Sequence, residues 1–318
     1  LSILGAIFIP AIACMLGAKG QLISNCILYA RLSFISMPAF MLQNVFQSFF
    51  VTAEKPHLGL YVVIAAGVTN MVLDFLFVGI LGFGLAGAAL ATVCGEFIGG
   101  LFPIFYFTRK NSSLLRLGKT HWNGHVLLQT CINGSSELMT NLSSSIMNSL
   151  YNIQLMKFAG ENGVAAYGTM MYINFIFLAI FFGYSIGSAP VISYHYGAGN
   201  QDELKNLFRK SLRLIGTWGI MLALLSQLLA APLSKLFVGY DAELFAMTEH
   251  GFRIYCLAYL INGFNIFGSS FFTALNNGVI SAAISFLRTL VFQIIMILLL
   301  PTLLGIKGIW SAVGVEEL

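Results

Sequence analysis

The chain has 318 residues, of which 58% are hydrophobic and 9% charged, where an ordinary soluble domain carries about 25% charged residues. Its mean hydropathy is +0.86, and surface-to-volume scaling lets no water-borne globule bury that much apolar side chain. Water-soluble enzymes, nucleic-acid binders and disordered scaffolds are excluded. The net charge of +4, from 16 basic and 12 acidic residues spread along the chain, reads as membrane orientation.

A spanning helix needs about 20 mostly apolar residues. In chain order, charge-poor runs predict spans over 1–17, 29–52, 59–80, 84–107, 125–157, 163–193, 211–234, 246–275, 279–303 and 306–318. The first run opens at Leu1 without a methionine and the last stops at Leu318, so both read as truncated spans. The polar stretch 108–124, TRKNSSLLRLGKTHWNG, separates an N-lobe (1–107) from a C-lobe (125–318). Lys55, Arg109, Lys110, Arg116, Lys119, Lys205, Arg209, Lys210 and Arg213 fall on one set of alternate loops. Lys19, Arg31, Lys157, Lys235, Arg253 and Lys307 fall on the other, diluted by acids. The positive-inside bias places the first set in the cytoplasm. Asn200 and Glu203 have capping-box-like spacing, which predicts an amphipathic basic surface helix ahead of the span 211–234. Cys14, Cys26, Cys94, Cys131 and Cys256 lie in or beside apolar runs without CxxC spacing and read as small buried hydrophobes.

The chain repeats itself. NVFQSFFVTA (44–53) lies over NIFGSSFFTA (265–274), an offset of 221 residues with six of ten positions identical, where shared apolar composition gives about one. The register continues through Gly84/Gly305, Gly87/Gly308, Ala91/Ala312 and Glu96/Glu317. With one residue inserted upstream, Pro10/Pro232, Gly17/Gly239 and Arg31/Arg253 match as well. The matched spans are an even number apart, so both halves run the same way through the bilayer. Such a parallel repeat is a common construction of secondary transporters.

Polar groups within a span must face protein or a water-filled cavity. Asn133, Glu137, Asn141, Ser144, Asn148 and Asn152 recur every three or four residues and share a helical face. Asn262, Asn265, Ser269 and Thr273 form a second stripe, which Asn44, Ser48 and Thr52 echo in the first half. These stripes read as walls of a hydrated cleft or as interhelical hydrogen bonding. Asp74 lies mid-span one turn after Asn70, Glu96 one turn after Thr92, and Glu137 among the asparagines. A carboxylate there is an ion or proton site or half of a buried ion pair. Arg288 is the mid-span cation able to pair with Asp74 or Glu137, whereas Glu96 reads better as part of a packed GEFIG turn. Neither GFGLAG (82–87), which lacks a βαβ context, nor His121 with His125, which lacks a third ligand, makes a site. No cofactor, metal or hydrolase signature appears, so a non-enzymatic role is expected.

The runs TNMVLDFLFVGILGFGLAGAALAT (69–92), NGSSELMTNLSSSI (133–146) and GYSIGSAPVISYHYGAGN (183–200) resemble the multidrug and toxic compound extrusion (MATE) family, in particular its MepA-like bacterial subgroup. The likeness covers essentially the whole chain, from late in the family's third helix to the start of its twelfth. It implies an all-α membrane protein, a two-bundle (6+6) fold in a bacterial cytoplasmic membrane, working as a monomer in the lipid bilayer. The implied activity is antiport of cationic, amphipathic small molecules against H⁺ or Na⁺, with no nucleic-acid partner and no cofactor beyond the coupling ion. By the same resemblance Asp74, Asn70 and Thr92 match N-lobe cation-site positions, with Gln47 near the helix-four position. Glu137 matches an acidic C-lobe position, and Asn133, Asn141, Asn148, Asn265 and Ser269 are the expected C-lobe cavity residues. The family's helix-one and helix-ten aspartates have no counterparts here. The same superfamily includes flippases for lipid-linked oligosaccharides and peptidoglycan precursor, a second reading that calls for a strongly cationic cavity.

Overall fold

A computed structural model describes residues 2–15, 21–110, 113, 115–118 and 121–317. Gly17, Lys19, Lys119 and Leu318 lie outside the described residues, as does the side chain of Cys14. Apart from turns and short connections the described chain is helical. The first compact unit, Leu1–His121, holds α1 (Ser2–Met15), α2 (Gln21–Thr52), α3 (Pro56–Asp74) and α4 (Gly84–Thr108). The second, Trp122–Leu318, holds α5 (Gly124–Gly197), α6 (Gln201–Val238), α7 (Ala242–Tyr255) and α8 (Tyr259–Ala274). It ends with α9 (Gly278–Phe286), α10 (Gln293–Leu304) and α11 (Ile306–Glu316). Among the described residues, seven helical stretches are long and apolar enough to cross a membrane, and the chain is a multi-pass membrane protein.

Helical hydrogen bonding runs through α5 for 74 residues, but Gly160 sits inside at φ 63°, ψ −153°. Glycine is essentially alone in that region, so the chain breaks there into two spans, matching the expected pair 125–157 and 163–193. Two expectations are corrected. The basic stretch after Asn200 is no separate surface helix: it is the first turns of α6, continuous to Val238, because no breaker intervenes. Asn200 caps it by accepting from the Glu203 N–H at 3.2 Å. Likewise α2 starts at Gln21, well before the expected 29, since its polar first turns remain helical.

Face assignment in the first unit follows from side-chain size. On α3, Tyr61, Ile64, Val68, Met71 and Phe75 recur every three or four residues and are exposed, Met71 to 72%. An apolar stripe that open belongs in lipid. Val62 and Ala66 are buried on another face. On α4, Gly87, Ala91, Gly95 and Gly99 recur every fourth residue and are all buried. Such a small-residue stripe lets backbones approach closely. A Cβ on Gly95 would stand 2.9 Å from the Ala66 carbonyl oxygen and 3.2 Å from the Asn70 Cβ. Phe46 stacks on Phe107 with ring centroids 5.5 Å apart, and Phe50 lies beside the same ring. These rings close the end of the unit where α2 and α4 meet.

The repeat has local structural content in each unit. Gly84 and Gly305 both adopt positive φ, 54° and 60°. A Cβ on Gly87 would meet Phe77, and one on Gly308 would meet the Leu300 backbone. Ala91 and Ala312 are each fully buried. In both units the matched span is therefore followed by a glycine of positive φ and then by a glycine with no room for a Cβ, although the residues that crowd it do not correspond. Both matched spans also contain a π-helical segment, Phe75–Ile80 in one and Leu287–Phe292 in the other, at different heights.

Candidate functional site

The first unit brings together two of its four expected site residues, Asn70 and Thr92. The Asn70 Nδ2 donates to the Thr92 Oγ1 at 3.4 Å, and the Thr92 hydroxyl donates to the Ala88 carbonyl at 3.0 Å. Sequence explains why they meet: α3 and α4 are joined by a turn of a few residues, and Gly95 removes the side chain that would hold the helices apart. Asp74, one turn beyond Asn70, is the last residue of α3 before the π segment. Its Oδ1 is shut off from solvent and has no hydrogen-bond partner. A π segment inserts an i→i+5 turn into the ladder, and such turns concentrate at functional sites. Gln47 is half-buried on α2. Its neighbour one turn earlier, Gln43, is the α2 side chain that packs against Gly99 of α4.

In the second unit the expected stripe on α5 is open over much of its length: Glu137, Asn141, Asn148 and Asn152 are exposed. The Asn141 amide donates back to the Glu137 carbonyl at 2.8 Å, and Asn148 accepts from the Tyr167 hydroxyl at 3.2 Å. Asn133 instead joins helices, donating to the Thr273 carbonyl at 3.2 Å. Ser269 lies within 2.9 Å of the Ser281 hydroxyl and 3.0 Å of the Ser285 hydroxyl. Asn265 donates to the Glu317 carbonyl at 2.9 Å and also to its carboxylate. Asn133, Ser269 and Asn265 are therefore engaged in interhelical hydrogen bonds.

Arg288, which the sequence leaves able to pair with Asp74 or Glu137, is held within its own unit by Glu317. Its Nη1 lies 3.0 Å and 3.2 Å from the two Glu317 carboxylate oxygens, and the two side chains are 14% and 7% exposed. Separated by 29 residues, they meet because α10 and the π segment Leu287–Phe292 pack along α11. Sequence reasoning noticed Glu317 only as the repeat partner of Glu96, and passed over its neighbour Glu316 altogether. The signal available was two adjacent acids at the end of an otherwise apolar run. Among the described residues no group of three His, Cys, Asp or Glu is placed to hold a metal ion.

The sequence profile of the family described as MatE matches residues 1–76 and 138–299, well over half of the chain. The chain belongs to the MatE family. The multidrug export protein MepA of Staphylococcus saprophyticus is 22% identical to this MATE chain over 312 residues, covering 96% of the chain and 68% of that protein. MepA of Staphylococcus haemolyticus is 24% identical over 314 residues, covering 97% and 68%. Among solved structures, MATE in complex with MaL6 superposes with a TM-score of 0.92 at 22% identity, covering 99% of this chain and 72% of that one. An outward-facing multidrug resistance MATE family transporter gives 0.91 at 22% identity, with 99% and 72% covered. A MOP superfamily transporter from Pyrococcus furiosus, described as having a binding pocket of reverse polarity, gives 0.90 at 20% identity, covering 99% and 71%. These likenesses establish the MATE fold.

Proposed function

We propose that this MATE chain works in secondary active multidrug efflux, exporting cationic, amphipathic small molecules in exchange for H⁺ or Na⁺. The observation that carries the reading is Asp74: a carboxylate one helical turn beyond Asn70, which itself donates to Thr92, with one oxygen enclosed and unpartnered. A carboxylate held this way is poised to take a proton, or to share a small cation with the adjacent amide and hydroxyl oxygens. Ion binding drives exchange only if the two access states bind the ion differently. A group at the border of a π segment meets that requirement, since a change in helix geometry there alters its surroundings. The exposed α5 stripe around Glu137 offers a polar, acidic surface suited to the cationic end of a substrate. The names of the staphylococcal relatives, multidrug export proteins, point the same way.

The flippase reading requires free cationic side chains for a pyrophosphate, and Arg288 is already held by Glu317. The protein is read as a monomer in a bacterial cytoplasmic membrane, with the loops near 108–124 and 195–213 on the cytoplasmic side. The test is Asp74→Asn, which keeps the shape and removes the charge. Efflux of a fluorescent cationic dye from vesicles under an imposed pH or Na⁺ gradient should be abolished while insertion and expression persist. Full gradient-driven efflux by the variant would remove Asp74 from the mechanism.

A further inference from the structure

The second unit holds a group of charges that does not balance. Glu316 and Glu317 are each only 9% exposed, and Arg288 is the cation facing them. Arg288 is bonded to Glu317, whose carboxylate also accepts from Asn265. Both Glu317 oxygens are engaged by the Arg288 Nη1, while the Arg288 Nε is itself enclosed without a partner. Glu316 is left over, with its Oε2 shut off from solvent and without a hydrogen-bond partner.

An independent observation lies across from it. Tyr151 on α5 is 1% exposed, and its hydroxyl has Gln293 beside it yet closes no hydrogen bond. The titratable groups within electrostatic reach of Glu316 are Glu317 on its own helix, Arg288 on the π segment, Tyr151 and Tyr167 on α5, and Tyr255 on α7. Cys256 occupies the 3₁₀ turn that also packs on α11, and α10 contributes no titratable residue. Among these described residues, Arg288 alone carries positive charge. Two carboxylates against one guanidinium leave one negative charge, and an uncompensated charge away from water is costly enough that the group takes up a proton instead. Nothing comparable follows from the repeat in the first unit: Glu96 is the counterpart of Glu317, but the position matching Arg288 is Gly67.

We propose that Glu316, Glu317 and Arg288 form a second cation-binding site, which carries one exchangeable proton on Glu316. A proton satisfies the enclosed Oε2 without the several oxygen ligands that a metal ion needs. A role for this proton in coupling rests on the transport reading above; its presence does not.

The test is infrared difference spectroscopy of the full-length protein in lipid nanodiscs, following the carbonyl stretch of protonated carboxyl groups. The wild type should show such a band at neutral pH that disappears on alkalinisation, with or without Na⁺. Glu316→Gln should lose it. Arg288→Gln leaves two carboxylates uncompensated, so the band from this site should double. Glu317→Gln frees Arg288 for Glu316, and the band should vanish there too. A band unchanged in Glu316→Gln would overturn the proposal. So would one that appears only when Na⁺ is withdrawn, which assigns the site to Na⁺. Glutamine is the shape of protonated glutamate, so failure of Glu316→Gln to fold also counts against a proton there. Asp74→Asn efflux and the Glu316 band are separate measurements, and either can fail alone.

Discussion

The Asn70 amide reaches the Thr92 hydroxyl at 3.4 Å, tying α3 to α4 one helical turn before Asp74. Thr92→Val keeps the volume and deletes the acceptor. A net hydrogen bond is worth about 0.5–1.5 kcal/mol, so gradient-driven dye efflux should slow up to about tenfold. Thr92→Ser should restore it. An unchanged initial rate in the valine variant would leave Thr92 with a purely structural part.

Close approach at the same place is also testable through stability. Gly95→Ala puts a Cβ against the Ala66 carbonyl at 2.9 Å, and overpacking of this kind costs about 1–3 kcal/mol. Gly67 on α3 has no atom within 4 Å of its would-be Cβ, so Gly67→Ala should be tolerated. Thermal unfolding in detergent should separate the two; equal melting temperatures would contradict the packing described.

Removing Arg288 leaves Glu317 enclosed without its partner. Truncation of one member of a buried pair costs about 3–5 kcal/mol, and the Glu317 side chain is 7% exposed. Arg288→Met should therefore lower the melting temperature sharply, and adding Glu317→Gln should recover most of the loss. If the double variant is no better than the single one, the pair is not what holds this region.

Orientation rests on loop charge. Arg116 and Lys205 are both exposed. Arg116→Cys and Lys205→Cys, made in a chain without its native cysteines, should react with an impermeant maleimide in inside-out vesicles. Reaction from outside intact cells would reverse the assigned topology.

Much of the fold was legible because hydropathy and small-residue spacing act over single helices. The i,i+4 steps from Asn70 to Asp74 and from Thr92 to Glu96 could be read directly, and so could the short turn that brings Thr92 to Asn70. What escaped depends on register between helices distant in sequence. Arg288 had several acids to choose from, and only the packing of α10 and the π segment Leu287–Phe292 along α11 selects Glu317. The continuity of α6 was missed because amphipathic and apolar turns follow one another without a breaker, so a change in composition mimicked a boundary. The engagement of Ser269 by Ser281 and Ser285 was invisible for the same reason. A serine stripe looks alike whether it meets water or another helix.

The π segment after Asp74 also changes how the third span should be probed. One residue more per turn shifts the angular phase of everything downstream by on the order of 100°, the advance of one α-helical residue. Met71 and Phe75 lie on the lipid-exposed stripe of α3, but a wheel drawn with one period through residue 80 would carry that stripe onto the wrong side chains. Cysteine or tryptophan scanning of this span should show two accessibility patterns out of step with each other, meeting at Asp74. Deleting one residue between 75 and 80 would restore a single helical period up to the end of the span at Ile80.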